Sequence, residues 1–412
     1  MSITVIARPT GLRSALLRWL SPVAVIAIAQ LFGTSLWFSA NGAAESLVTA
    51  WQASAADIGW LTNAVQLGFI VGTLSLSLSG AADRFHASSL FFCCAIAGAL
   101  FNLAFAWLAD GLAVGAVLRF CVGVTLAGIY PMGMKLIVGW APERTGLALA
   151  QLVAMLTLGT ALPHALRLLG ANWPWQLIIT ASSVLALAGA ALIALLGDGP
   201  HARSGQPGNT AGAKRAGAIL GAFRISRFRA ATLGYFGHMW ELYAFWTVVP
   251  LIVSRTALAQ AYPALGVAGL SFCIMAVGAL GSLLGGVLSQ RIGSDRVALA
   301  ALATSGFCGL LFVLVHGQMQ PWVLLALLAL WGASVVADSP QFSALAAKAC
   351  PRDAVGSALA IQNSIGFAIT VVSIACTTWL FERVGIDALW ILVPGPVLGL
   401  LGYTRSLRQA DA

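Results

Sequence analysis

Charge is scarce in this chain. Of its 412 residues 8% are charged, and acids are the rarer sign, 13 against 22 Lys and Arg. Soluble globular chains carry about 25%, so this one has too little charge to cover a water-facing surface. Motifs for chemistry on a substrate are missing too. There is no G-x-x-x-x-G-K-[ST] loop for a nucleotide, no G-x-S-x-G nucleophile turn, no H-E-x-x-H and no Cys/His ligand cluster. The seven cysteines, Cys93, Cys94, Cys121, Cys273, Cys308, Cys350 and Cys376, show no CxxC spacing, and all but Cys350 lie in apolar runs. They read as small buried hydrophobes, not disulfides or metal ligands. These absences exclude a soluble enzyme, a disordered chain and a nucleic-acid binder. No catalytic residue, cofactor or metal is expected.

What the chain has is apolar length. Hydrophobic residues make up 59%, and the mean hydropathy is +0.91. Apolar runs of about 20 residues read as spanning helices. Twelve are expected, over 20–40, 58–80, 88–109, 111–137, 145–168, 174–196, 230–254, 264–289, 297–316, 321–346, 354–380 and 387–403. The Gly-, Pro- and Ser-rich stretch GDGPHARSGQPGNTAGAKRAG opens a linker. The expected organisation is a six-helix half over 1–196, a cytoplasmic linker over 197–229 and a second six-helix half over 230–412. The linker tail FRISRFR (Phe223 to Arg229) reads as an amphipathic basic helix at the membrane surface. The first apolar run is longer than a usual signal core, which favours a span over a cleaved leader.

The net charge of +9 reads as topology. With the N-terminus in the cytoplasm, seventeen of the 22 basic residues fall in inner segments. Only Arg167, Arg255 and Arg383 fall outside, while Arg119 and Lys135 lie within spans. The positive-inside rule then puts both termini in the cytoplasm.

The two halves repeat. Gly123 and Gly332, Pro131 and Pro340, and Pro142 and Pro351 are each 209 residues apart, in the fourth helix of each half or the loop after it. Asp83-Arg84 aligns with Gln290-Arg291 at an offset of 207, after each second helix. Two halves in one orientation are related by an axis along the membrane normal.

Twelve spans, this repeat and its loops resemble the major facilitator superfamily (MFS), a bacterial type, over the whole chain. Of the family's G-x-L-x-D-R-x-G-R-R loop, Gly286, Leu288, Arg291, Gly293 and Arg296 match one copy, with Gln290 in place of the acid. The other keeps Asp83 and Arg84, with His86 at the Gly position. The fourth-helix pattern R-x-x-x-G is met by Arg119 and Gly123, followed by Ala127 and Gly128. The antiporter pattern on the fifth helix is reduced to Gly159 and Pro163, with Leu162 where Gly is expected. The segment YFGHMWELYAFW (Tyr235 to Trp246) resembles bacterial anion permeases. The resemblance implies the MFS fold and ties Arg119 to proton coupling or substrate binding.

Polar groups at lipid depth are costly and usually serve function. Glu241 falls mid-way along the seventh helix with His238 three residues earlier, on one face with Phe245. The carboxyl and imidazole can share a proton, or hydrogen-bond other helices. Arg119, about 12 Å into the fourth helix by rise, needs a partner or an anionic group. Glu241, His238 and Arg119 are the proton-coupling candidates. Gln30, Thr34, Trp37 and Asn41 share a face of the first helix. With Asn63, Gln66, Trp240, Phe245, Gln362 and Asn363 they are the candidate substrate cavity, or else interhelical hydrogen bonds. Tyr235, Phe236, Tyr243 and Trp246 add aromatic faces on the seventh helix. Lys135 is expected to snorkel. Asp83, Arg84, Arg291, Asp338 and Pro340 are gating candidates, with Lys348 an alternative partner for Asp338.

The expected function is a secondary transporter moving a small molecule across the inner membrane by alternating access, proton-coupled, with a small organic or inorganic anion as substrate. One alternative is a proton/drug antiporter exporting lipophilic compounds. Another is a non-transporting sensor or assembly partner, since fold does not determine function. Expected partners are substrate, protons and the bilayer, with the chain a monomer.

Overall fold

The computed structural model describes residues 11–142, 145–202, 221–350 and 355–409. The described chain is helical. The helices are α1 Gly11–Trp19, α2 Pro22–Thr34, α3 Ser39–Gly42, α4 Ala44–Trp51, α5 Ala55–Leu78, α6 Ala81–Arg84, α7 Ala87–Leu108, α8 Leu112–Leu126, α9 Tyr130–Trp140, α10 Thr145–Leu169 and α11 Trp175–Leu196. After the linker come α12 Ser226–Arg255, α13 Leu258–Ala261, α14 Gly266–Ile292, α15 Ser294–Val315, α16 Pro321–Ala337, α17 Ser339–Ala349, α18 Val355–Val384 and α19 Pro394–Arg408.

Nine stretches among the described residues are long and apolar enough to cross a membrane. The pair Arg13–Trp19 and Pro22–Thr34, bent by 96°, would make ten. One of the nine, Ala358–Arg408, holds both α18 and α19. Beyond these nine, α12 is 30 residues long, about 45 Å at the rise of a helix, and most of its side chains are buried in protein rather than facing outward.

The ends of several elements shift from expectation. The first span does not stop near residue 40. It breaks at Ser35–Phe38 and resumes through α3 and α4 to Trp51. Phe223 and Arg224 lie in a helical stretch that breaks at Ile225, and Ser226 to Arg229 form the first turn of α12. The last span opens with a 3-10 stretch, Gly385–Leu392, because Pro394 and Pro396 delay the α-helix. No disulfide joins the cysteines; Cys308 and Cys350 are buried, whereas Cys93 and Cys273 are exposed.

Close packing follows the 209-residue repeat. A Cβ on Gly123 would collide with the Val65 carbonyl, and one on Gly332 with the Ile274 carbonyl. Gly72 lies against Val124 as Gly281 lies against Ala333. All four pairs of positions keep the same offset. So do α9 and α17, each eleven residues long with proline second. Glycine lets these helix backbones touch, which is how apolar helices associate without a hydrophobic drive. Pro351, the last repeat position read from sequence, lies outside the described residues.

Two helix pairs join the halves: α10 lies along α14, and α5 along α18. Ser282 Oγ donates to the Ala150 carbonyl at 3.3 Å. At the end away from the linker, the Ala56 N–H donates to Glu382 Oε1 at 2.7 Å, and Asn63 Nδ2 to the Val371 carbonyl at 3.1 Å.

Candidate functional site

Between the halves, six rings form a barrier. Trp37, Phe38 and Phe69 come from the first half, and Tyr243, Trp246 and Phe367 from the second. Phe69 and Phe367 are 4.4 Å apart by centroid, Trp37 and Phe367 5.7 Å, and Trp37 and Tyr243 5.8 Å. On the linker side of these rings is a cavity of about 140 Å³. Its walls are Tyr130 and Met134 of α9, Thr157 of α10, Tyr235, His238, Met239, Tyr243 and Trp246 of α12, Ser339 and Ser343 of α17, and Asn363 and Phe367 of α18. Among the described residues no Lys or Arg lines it.

His238 is the ionisable imidazole of that wall. Its Nδ1 lies 2.8 Å from Asp338 Oδ1, with both side chains fully buried. Asp338 occupies the joint between α16 and α17, ahead of Ser339 and Pro340. Proline second in α17 frees a backbone group there and permits the joint. The approach is a close contact of the two groups without hydrogen-bond geometry: both ring nitrogens of His238 and both carboxyl oxygens of Asp338 have no hydrogen-bond partner among the described residues.

Glu241 is not part of this pair, although it shares a helix face with His238. Its Oε1 accepts from Trp331 Nε1 at 2.7 Å and its Oε2 from Ser305 Oγ at 2.8 Å. Phe245 stacks on Trp331 at 4.3 Å. This group ties α12 to α15 and α16 inside the second half, away from the cavity wall.

Arg119 forms the counterpart network in the first half. Its Nη1 donates to Ser39 Oγ and Asn102 Oδ1, each at 2.9 Å. Its Nη2 donates to the carbonyls of Leu36 and Trp37, where the first span breaks. Asn102 Nδ2 reaches Ser183 Oγ at 3.0 Å. All these acceptors are neutral and in the same half, so Arg119 is not brought to Glu241, His238 or the cavity.

Of the ten residues expected to line the cavity, the structure puts Asn363 there. Of the rest, all but Gln30 are engaged by neighbours through at least one side-chain atom or ring. Thr34 Oγ1 donates to the Gln30 carbonyl at 2.8 Å, Asn41 Nδ2 to Thr62 Oγ1 at 3.0 Å and Trp37 Nε1 to Gln66 Oε1 at 3.1 Å. Trp240 Nε1 donates to the Ile391 carbonyl at 2.6 Å, and Gln362 Oε1 accepts from Thr232 at 3.2 Å. Asn63 and Phe245 are engaged as above. The Gln30 amide is buried without a partner beside Gly133. Tyr235, Tyr243 and Trp246, expected as aromatic faces, do line the cavity. Tyr130, Met134, Met239 and the two α17 serines were not anticipated; only the proline-marked start of each broken helix pointed to that level.

Among the gating candidates, Asp338 meets His238 and not Lys348. Arg84 and Arg291 are exposed. The side chain of Asp83 lies outside the described ones. Lys135 donates to the Ala82 carbonyl, tying α9 to α6.

Comparisons follow from this geometry. The family model described as Major Facilitator Superfamily matches residues 23–373. A crystal structure of a mutant of the nucleoside transporter NupG is similar with a TM-score of 0.69 and 12% identity, covering 94% of this chain and 99% of that one. A D-xylose-proton symporter gives 0.70 and 14%, covering 93% and 96%. The xylose transporter XylE from E. coli, in a partially occluded inward-open conformation, gives 0.71 and 13% over the same shares. No curated protein matches the sequence. With nine or ten span-length stretches among the described residues, two repeated halves around a central cavity, and a family model spanning most of its length, this chain belongs to the major facilitator superfamily of multi-pass membrane secondary transporters and is not an enzyme.

Proposed function

We propose that the chain moves a small organic molecule by alternating access, and that His238 and Asp338 couple the movement to protons. The observation that carries the reading is their 2.8 Å contact at the wall of the central cavity and the joint of the tenth span. A carboxyl and an imidazole in contact can take up and release a proton, and each changes charge on doing so. Intramembrane ionisable pairs mark proton relays. Their place at the joint links protonation to the packing of α16 and α17. Glu241, held by two donors behind the wall, serves to position α12.

An anionic substrate has no support from the lining, which holds no Lys or Arg among the described residues, and Arg119 is engaged elsewhere. Uncharged polar molecules fit better. The nucleoside transporter and the xylose-proton symporter handle substrates of that kind. The 140 Å³ cavity is below the roughly 300–1,000 Å³ of ligand pockets, so the halves must part to load. The charge asymmetry supports both termini in the cytoplasm and, for a bacterial chain, residence in the inner membrane.

The test is current on solid-supported membranes carrying reconstituted protein, with uridine, D-xylose, benzoate and tetraphenylphosphonium as probes. Uridine or D-xylose should give a current that grows with an imposed pH gradient, and Asp338→Asn should abolish that growth while substrate still binds. A wild-type current indifferent to the gradient overturns coupling. Binding without flux for every probe would instead support a sensor.

A further inference from the structure

The repeat offers an internal control for one side chain in the cavity wall. Trp37 and Trp246 are 209 residues apart, the offset of the repeat, and both are fully buried at the centre of the bundle. In the first half the indole N–H of Trp37 donates to Gln66 Oε1 at 3.1 Å. The residue 209 after Gln66 is Met275, also buried. A thioether is a poor acceptor. Trp246 Nε1 accordingly has no partner among the described residues, and Trp246 lines the cavity while Trp37 does not. One half satisfies its central indole internally. The other leaves the same donor buried and unpaired, on a residue that lines the cavity.

A buried N–H without a partner carries the penalty of its lost hydration. Such a donor persists where something else completes it. The indole donates only, so what completes it must be an acceptor. Tyr243 and Phe367 line the same cavity, and Tyr243 meets Trp246 edge-on at 5.5 Å by centroid. Among the described residues the lining has no Lys or Arg to pair an anion. From this we infer that Trp246 is a substrate-binding residue whose indole N–H donates to an oxygen of an uncharged, ring-bearing substrate. The inference rests on the cavity being the transport site and adds the substrate class and its fixed donor.

The decisive variant is Met275→Gln. It places in the second half the acceptor that Gln66 supplies in the first, and so occupies the Trp246 N–H while leaving the indole in place. Met275→Leu is the size control, and Trp246→Phe removes the N–H but keeps a flat ring. Equilibrium binding of uridine, benzoate and tetraphenylphosphonium is measured calorimetrically at one pH without a gradient, with thermal unfolding recorded for each variant. Failure of proton coupling leaves this measurement untouched. Uridine should bind wild type and Met275→Leu alike. Binding should weaken about tenfold in Trp246→Phe and in Met275→Gln, the loss of roughly one hydrogen bond. Should Met275→Gln not fold, Trp246→Phe against Met275→Leu still decides. Unchanged affinity in Trp246→Phe overturns the proposal. So does undiminished binding in a folded Met275→Gln, a preference for benzoate or tetraphenylphosphonium, or no uridine binding to wild type.

Discussion

The two halves share a backbone plan and differ in what they bury. The first half buries a base: Arg119 is fully enclosed and its four bonds go to neutral acceptors around the break of the first span. The second half buries acids. Glu241 is held by Trp331 and Ser305, and Asp338 meets His238 at the cavity. The position 209 after Arg119 is Leu328. Repeated glycines kept the helix contacts the same, while polar content diverged. The lesson is a division of labour. Both halves keep unpaired buried polar atoms, but the first half spends the two Nη atoms of Arg119 on holding a broken helix, while the second leaves His238 and Trp246 of the cavity wall, with Asp338, unpaired.

The strongest way to break the comparison is Arg119→Met. It strands the Leu36 and Trp37 carbonyls and frees Ser39 and Asn102, at about 1–3 kcal/mol for each buried group left unpaired. Thermal unfolding should fall sharply, whereas Leu328→Met at the repeat position should cost under about 1.5 kcal/mol. Equal losses at both positions would mean that Arg119 does not hold the break.

A second pair sharpens what the halves share. Gly123→Ala and Gly332→Ala each drive a Cβ into a facing carbonyl, of Val65 and of Ile274. Overpacking of this kind costs about 1–3 kcal/mol, and the two losses should match. Unequal losses would show that one half relaxes where the other cannot.

The smallest effect concerns the contact between halves. Glu382 accepts from the Ala56 N–H at the start of α5, where a carboxylate also favours the helix dipole. Glu382→Gln should weaken this by about 0.3–1 kcal/mol. Spin-label distances between the far ends of α5 and α18 should broaden toward separation. An unchanged distribution would leave closure to the rings and to Asn63.

Much of the fold was legible. The helices and the 209-residue offset follow from apolar length, glycine and proline. The candidate site was less so. Gln30, Thr34, Asn41, Asn63, Gln66 and Gln362 looked like a polar cavity because they recur on helix faces. The same faces also meet other helices, and an amide in an apolar interior takes the nearest donor or acceptor. Glu241 and His238 share a face by spacing, but their partners lie on α15, α16 and the α16–α17 joint, 64 to 100 residues along the chain. No local pattern reports those distances.

By itself the sequence determined the lipid solvent, the helical spans and the repeat, because these are sums over neighbouring residues. The tertiary structure alone decided that Asp338 meets His238, that Arg119 stays within its own half, and that Trp246 lacks the partner Trp37 has. Each outcome depends on which atoms of distant helices arrive within about 3 Å, the reach of a hydrogen bond.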